Sequence, residues 1–406
     1  MLSVDELQER IRATLAAHQQ QEQEHVPLDQ AQGRILAQEM ISNVNIPPAD
    51  VSAMDGYALA EAARADSVFS VIGESIAGKP FEGAVQAGQT VRIMTGAVVP
   101  AQCRCVIMQE HVRREADRIV LTKDCREGAN IRRAGEELRG GDAVLYTGRC
   151  LNAADILLLA SLGIAQVPVF KKLRVAVFST GDELLAVGET LSREGQIYDS
   201  NRAMICALLR RLPVEIVDMG LIADDIEAIK AALAQAGQDC DAVITSGGVS
   251  VGDYDFLKMA VEALGEIHTY KVKMKPGKPF VFGKIGRAVY FGLPGNPVSS
   301  YVGMNRLVNP ALRQMAHAQA LPDLVLHLPL NQDLKKGAGR RDFQRGVMQM
   351  GAKGWEVGSA SRQDSHRVHG LSSANCLIDL PEEMENPTAG TIVAVHPFFS
   401  HFSGGD

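Results

Sequence analysis

The chain has 406 residues, of which 46% are hydrophobic, and a formal net charge of −7. That length suggests two to four domains at roughly 100–200 residues each, with enough apolar residues for several cores. The acidic balance gives no general pull toward nucleic acid or an anionic membrane, and no run approaches the ~20 apolar residues of a membrane span. In chain order, SVDE at 3–6 is a capping-box start, and Val4, Leu7, Ile11 and Leu15 recur at helical spacing. The Gln/Glu/His run at 18–25 reads as the solvated end of that helix, and 28–38 reads as a second short helix. After Ile46 and two prolines the composition changes. Short β-like runs follow between 68 and 146 (FSVIG, TVRIM, CVIMQE, RIVLTK, AVLYTG), punctuated by Gly and Pro. Residues 152–163 are a helix with a Gly stop.

From 173 onward strands and helices alternate. Strands are expected at RVAVFST, at 214–219, from Asp241, at 267–272 and at 288–293. Helices are expected at 201–212, 224–236, 256–264 and 297–307, the last followed by another to 320. This pattern predicts a parallel sheet covered by helices on both faces. From 321 to 406 short strands return (LVLHLPL, FQRGVMQM, NCLIDL, TIVAVHP), giving a small β-domain or barrel. Seven cysteines are scattered without a paired framework, which predicts free thiols in a reducing cytoplasm. The N-terminus MLSVDELQERI is acidic and amphipathic, unlike a signal peptide.

Four loops of the α/β segment share one character. They are STGDEL at 179–184, the glycine loop SGGVSVG at 246–252, KPGKP at 275–279 and LPGNP at 293–297 followed by Ser299 and Ser300. In open α/β sheets ligands bind outside the carboxyl ends of the strands, where glycines let backbone N–H groups approach an anion closely. Lysines neutralise an oxyanion, and carboxylates suit Mg²⁺, which takes oxygen ligands beside substrate phosphates. Glu183, Asp224 and Asp255 are the acidic candidates. Plainer accounts stand beside them: the glycine loop as an ordinary βα turn, Asp224 as a helix cap, and Glu183 as a first-turn carboxylate facing a helix dipole. The combination points to a phosphorylated ligand with a divalent metal. Elsewhere, SAMDGYA at 52–58 holds an acid in a tight turn. GAGRRDFQR at 337–345 and Ser365 supply Arg and Ser that suit an oxyanion, or else are surface polar residues. Asp364 beside Ser365 repels an oxyanion unless it faces away or binds metal.

These residues lie in motifs that resemble the MoeA-type molybdopterin molybdenumtransferases. The motifs are IPPADVSAMDGYA, RIMTGAVVP, VFSTGDEL, GQIYDSNR, ITSGGVSVGDYD, KPGKPF and GLPGNPVSS, in the family's order between 46 and 300. A looser match runs through the C-terminal region. The resemblance implies a multidomain α/β chain: a helical linker domain (1–44 plus 148–170), a β-rich insert (45–147), a MogA-like parallel-sheet domain (171–320) and a C-terminal β-barrel-like domain (321–406).

The resemblance further implies an enzyme that inserts molybdate into adenylylated molybdopterin with Mg²⁺, releasing AMP. It implies a cytoplasmic homodimer with the active site shared between subunits, and possible contacts with an adenylyltransferase and with apo-molybdoenzymes. Asp55, Thr95, Glu183, Asp224, Asp255, Lys271 and Lys275 match the family's catalytic positions. Ser52, Tyr57, Gly96, Thr180, Gly181, Ser246, Gly247, Gly248, Ser250, Lys278, Pro294, Gly295, Asn296 and Ser299 match substrate-binding positions. Arg345 and Ser365 match positions for molybdate. Two alternatives remain open: adenylylation of molybdopterin by the same α/β module, and a non-catalytic cofactor carrier.

Overall fold

The computed structural model describes residues 1–247, 256–320, 323–360 and 362–398. Ser3 starts helix α1 (Val4–Leu15) with the expected capping box. Its hydroxyl accepts from the Glu6 N–H at 3.1 Å, while the Glu6 carboxylate accepts from the Ser3 N–H at 2.7 Å. Val4, Leu7, Ile11 and Leu15 form the buried stripe. The run at 18–25 is not the end of this helix: α1 stops at Leu15, and β1 (Gln23–Pro27) follows.

The helix expected at 28–38 is also absent. A single 3₁₀ turn (Leu28–Gln30) gives way at Gly33, whose φ is +75°. Buried Arg34 then donates to the Phe170 carbonyl and to Glu24, and Leu36 bridges to Val169. Consecutive apolar residues at 35–37 suit such extended pairing better than a 3.6-residue period.

The β-rich region contributes β2 (Gly56–Leu59), β3 (Val68–Ser75), β4 (Gln89–Ile93), β5 (Cys105–Met108), β6 (Val112–Glu115) and β7 (Arg118–Leu121). They form one six-stranded sheet in the order β5-β2-β4-β3-β7-β6, in which only β3 and β4 run parallel. Helix α2 (Ala153–Ser161) ends before Gly163 at φ +72°, and β8 (Gln166–Phe170) pairs antiparallel with β1.

The α/β region runs β9 (Leu173–Thr180), α3 (Ser200–Leu209), β10 (Val214–Ile222), α4 (Ile226–Asp239), β11 (Ala242–Ser246), α5 (Phe256–Leu264), β12 (Gly265–Lys271), β13 (Met274–Lys275), β14 (Pro279–Ile285) and β15 (Ala288–Leu293). Its six-stranded sheet has the order β10-β9-β11-β15-β14-β12. The first four strands are parallel as expected; β14 and β12 are antiparallel, so the sheet is mixed. β14 was hidden because KPGKPF reads as a loop, yet Phe280 and Phe282 are core residues, and Gly286 at φ +57° turns β14 back into β15.

Alternate residues of β9 face opposite ways. Val175 and Val177 pack with α3 residues Ile205 and Leu209, and Ala176 and Phe178 with α4 residues Ile229 and Leu233. Helices therefore cover both faces. The helices expected at 297–307 and on to 320 are α6 (Pro297–Gly303) and α7 (Asn309–Met315), joined by a π-helical turn (Met304–Val308).

The C-terminal strands are β16 (Leu326–Pro329), β17 (Arg341–Gly351), β18 (Gly354–Ser359), β19 (Cys376–Leu380) and β20 (Ile392–Pro397). Their sheet has the order β13-β17-β19-β20-β16, with β18 added on β17. The chain divides into two compact units: residues 1–37, 147–156 and 166–406 in one, and 38–146 with 157–165 in the other. No helix among the described residues is long and apolar enough to cross a membrane.

Candidate active site

Strand register brings the glycine and lysine loops of the larger unit to one edge of the mixed sheet. Ser179 lies beside Ser246, and Ser246 beside Leu293, so β9, β11 and β15 end in line. β14 runs the other way, so its first residue, Pro279, lies at that same edge opposite Lys271, the last residue of β12. The loop before β14 thereby joins the loops after β9, β11 and β15. Lys271, Lys275 and Lys278 all sit there; Lys271 and Lys278 are exposed.

Hydrogen bonds tie this edge together. Thr180, nearly buried, donates its hydroxyl to Asp224 at 2.9 Å. Asp224 is not the cap of α4. Asp225 is, accepting from the Glu227 and Ala228 N–H groups at 3.1 and 2.9 Å. The Gly247 N–H donates to the Leu293 carbonyl at 3.1 Å with φ at +99°, where a Cβ would also stand 3.2 Å from the Thr180 carbonyl. Gly181 has φ at +150°, backbone that a side chain rarely adopts, and a Glu183 carboxylate oxygen lies 2.7 Å from where its Cβ would stand. Ser299 is buried on α6, and the Ser300 hydroxyl donates to the Pro294 carbonyl. Gly248, Ser250 and Asp255 lie outside the described residues.

Asn201, in the first turn of α3, was given no role from sequence, yet it is a junction of the site. Its amide donates to Ser246 Oγ and to the Gly295 carbonyl, both at 2.8 Å. Its buried Oδ1 has no partner. The signal was present in GQIYDSNR, but capping residues at a helix start have so ordinary a structural use that a site role is easily passed over.

Ser365 reaches this edge from the C-terminal strands: Asn296 donates to its hydroxyl at 2.9 Å, and the Val298 N–H to its carbonyl at 3.3 Å. Arg345 is fully buried, unlike a surface basic residue. Its guanidinium donates to the carbonyls of Arg362, Asp364 and Arg367 at 2.7, 3.1 and 3.0 Å, and so holds the loop that carries Ser365. Asp364 faces Arg367, 2.8 Å away, whose hydrogen bond lowers the carboxyl pKa. Lys275 donates to buried Asp342 at 3.2 Å. It also lines a cavity of about 700 Å³ with Asp333, Lys335, Lys336, Glu385 and Thr388.

The smaller unit holds its own polar cluster. Asp55 accepts from both the N–H and the hydroxyl of Thr95, each at 2.7 Å. The backbone bond, then the hydroxyl bond, lowers the Asp55 pKa. Gly96, at φ +79°, donates its N–H to the Ser52 carbonyl at 2.8 Å. Ser52 and Tyr57 are buried. The Ser52 hydroxyl closes its own turn on the Met54 carbonyl at 2.6 Å, and the Tyr57 hydroxyl accepts from Arg92 at 3.0 Å. Among the described residues no three His, Cys, Asp or Glu side chains converge.

Three sequence families match in succession. They are described as the MoeA N-terminal region (domain I and II) over residues 2–163, a "Probable molybdopterin binding domain" over 176–314, and the MoeA C-terminal region (domain IV) over 327–398. A Haemophilus influenzae protein named molybdopterin molybdenumtransferase is 41% identical over 408 residues, covering 100% of both chains. The chain belongs to the MoeA family. A second MoeA relative, molybdopterin molybdenumtransferase 2 of Mycobacterium tuberculosis, is 35% identical over 91% of this chain and 94% of its own. The crystal structure of the molybdopterin biosynthesis MoeA protein from Pyrococcus horikoshii superposes with a TM-score of 0.83 at 28% identity, covering 98% of this chain and 100% of that one.

Proposed function

We propose that this protein is a molybdopterin molybdenumtransferase that inserts molybdate into adenylylated molybdopterin, with release of AMP. The observation that carries the reading is the single sheet edge where the glycine turns, the Thr180–Asp224 pair and three lysines meet. A pterin bearing phosphates is strongly anionic, and molybdate is a dianion. Lys271, Lys275 and Lys278 lower the repulsion between them. Ser246, Ser299 and the backbone around Gly247 and Gly295 supply directed hydrogen bonds. Ser365, presented by the Arg345-held loop, offers a hydroxyl to the oxyanion, with Asp364 neutralised by Arg367.

The donor set suits magnesium. Glu183 and Asp224 offer hard carboxylate oxygens, with Asp255 as third candidate. Magnesium keeps several waters and takes substrate phosphates, which would fill the remaining positions. Such an ion supplies Lewis-acid polarisation of the adenylyl phosphate. The reading includes a cytoplasmic homodimer with an active site shared between subunits, and a role for Asp55 and Thr95 in turnover.

The test is single-turnover AMP release from adenylylated molybdopterin with Mg²⁺, with and without molybdate. Molybdate-dependent release, with molybdenum in the product, is expected. ATP consumption with free molybdopterin would make the protein an adenylyltransferase. Tight binding without AMP release would make it a carrier.

A further inference from the structure

The Lys275 ammonium is held from the C-terminal sheet. β13 and β17 run parallel, with Lys275 directly beside Asp342 in the register. Asp342 is 3% exposed, and its Oδ2 accepts from Lys275 at 3.2 Å and from Gln344 Nε2 at 3.1 Å. Gln344, also buried, donates in addition to the Lys335 carbonyl at 2.9 Å. A chain of buried contacts therefore runs from the Lys335 backbone through Gln344 and Asp342 to Lys275, whose side chain stays 44% exposed at the cavity wall.

A lysine free in solvent samples many rotamers, and fixing it costs entropy when a ligand arrives. A buried carboxylate, in turn, is stable only when paired and hydrogen-bonded. Each group answers the other's need, and the sheet register fixes where they meet. Glu382, by contrast, sits 27% exposed against Lys273, one residue before β13.

We propose that Asp342 is a positioning residue for the transfer reaction, holding the Lys275 ammonium at the sheet edge before the anionic substrate arrives. The proposal rests on the reading that Lys275 serves that substrate. Asp342 touches no substrate; it acts through Lys275. Because the lysine's charge is present with or without Asp342, loss of the carboxylate misplaces a charge rather than removing it. Turnover should suffer more than substrate binding.

The test uses the full chain carrying Asp342→Asn, with Gln344→Met as a second variant that keeps every charge. Two readouts are taken: the rate at which Lys275 is acetylated by acetic anhydride, followed by peptide mass spectrometry, and kcat and KM for molybdate-dependent AMP release. Asp342→Asn should raise Lys275 labelling several-fold relative to Lys278 and lower kcat about ten- to a hundredfold with KM little changed. Gln344→Met should shift both in the same direction by less, and it reads the same posture if Asp342→Asn fails to fold. Unchanged labelling in folded variants would overturn the proposal, and so would increased labelling with normal kcat. A wild-type protein that releases no AMP would overturn the transferase reading instead, while the labelling still reads whether Asp342 holds Lys275.

Discussion

Asp224 and Asp225 are adjacent and chemically identical, yet the fold separates them. Asp225 caps α4, whereas Asp224 accepts from Thr180 at the sheet edge. The sequence left both cap and site open for Asp224, because a cap is located by backbone angles that a one-residue shift changes. Asp225→Ala should cost about 1 kcal/mol of stability in urea unfolding and leave turnover near normal. Asp224→Ala should leave the unfolding midpoint nearly unchanged and abolish AMP release; the reverse pattern would return Asp224 to a capping role. Arg345 shows the opposite limit of sequence reading. Its residue type suits an oxyanion, but only the fold reveals that from β17 it donates to three carbonyls of the loop that carries Ser365 and to the Gln363 side chain.

Among elements, the strands of the α/β region were the most legible. Their central runs, VAVF at 175–178 and AVI at 242–244, are buried on both faces and therefore continuously apolar. What escaped was β14, since a Pro-Gly-Lys-Pro approach looks like a loop wherever it leads. The 28–38 segment failed for a related reason: its pairing partners lie more than a hundred residues away.

β19 carries a testable electrostatic element. Burial raises the Asp379 pKa, but hydrogen bonds and charge from Arg341 and His396 outweigh it, lowering the value from 3.8 to about 2. A carboxyl depressed in the folded state contributes stability that is fully present above its unfolded pKa and is lost as pH falls through the folded one. The contribution is about 2 kcal/mol at neutral pH, fading between roughly pH 4 and 2. Asp379→Asn should therefore destabilise by about 2 kcal/mol at pH 7, since Arg341 keeps only its exposed partner Asp5, 2.8 Å away. The gap from wild type should narrow when urea unfolding is repeated at pH 3.

At the scale of the whole molecule, the two compact units have separate apolar cores, one around Tyr57, Leu59, Ile107 and Ile119, the other on the two faces of the mixed sheet. The family motifs made the fold class readable in advance, because they fall at the turns and strand ends where backbone shape restricts the choice of residue. Calorimetry should resolve two transitions. Gly56→Ala would place a Cβ 2.0 Å from the Ile107 carbonyl between β2 and β5, an overpacking cost of about 3 kcal/mol. One transition should drop while the other stays; a uniform shift would mean that the units unfold together.

Met274 and Lys275 form a strand that the α/β segment lends to the C-terminal sheet. The final eighty residues are thus not a detachable accessory. A truncation ending before Leu326 would strip the lysine of its sheet partner, so loss of activity in such a fragment would say nothing specific about molybdate. A chimaera exchanging C-terminal segments between relatives would have to carry the two-residue strand with them, because boundaries drawn along the sequence cut through a sheet that the fold has already joined.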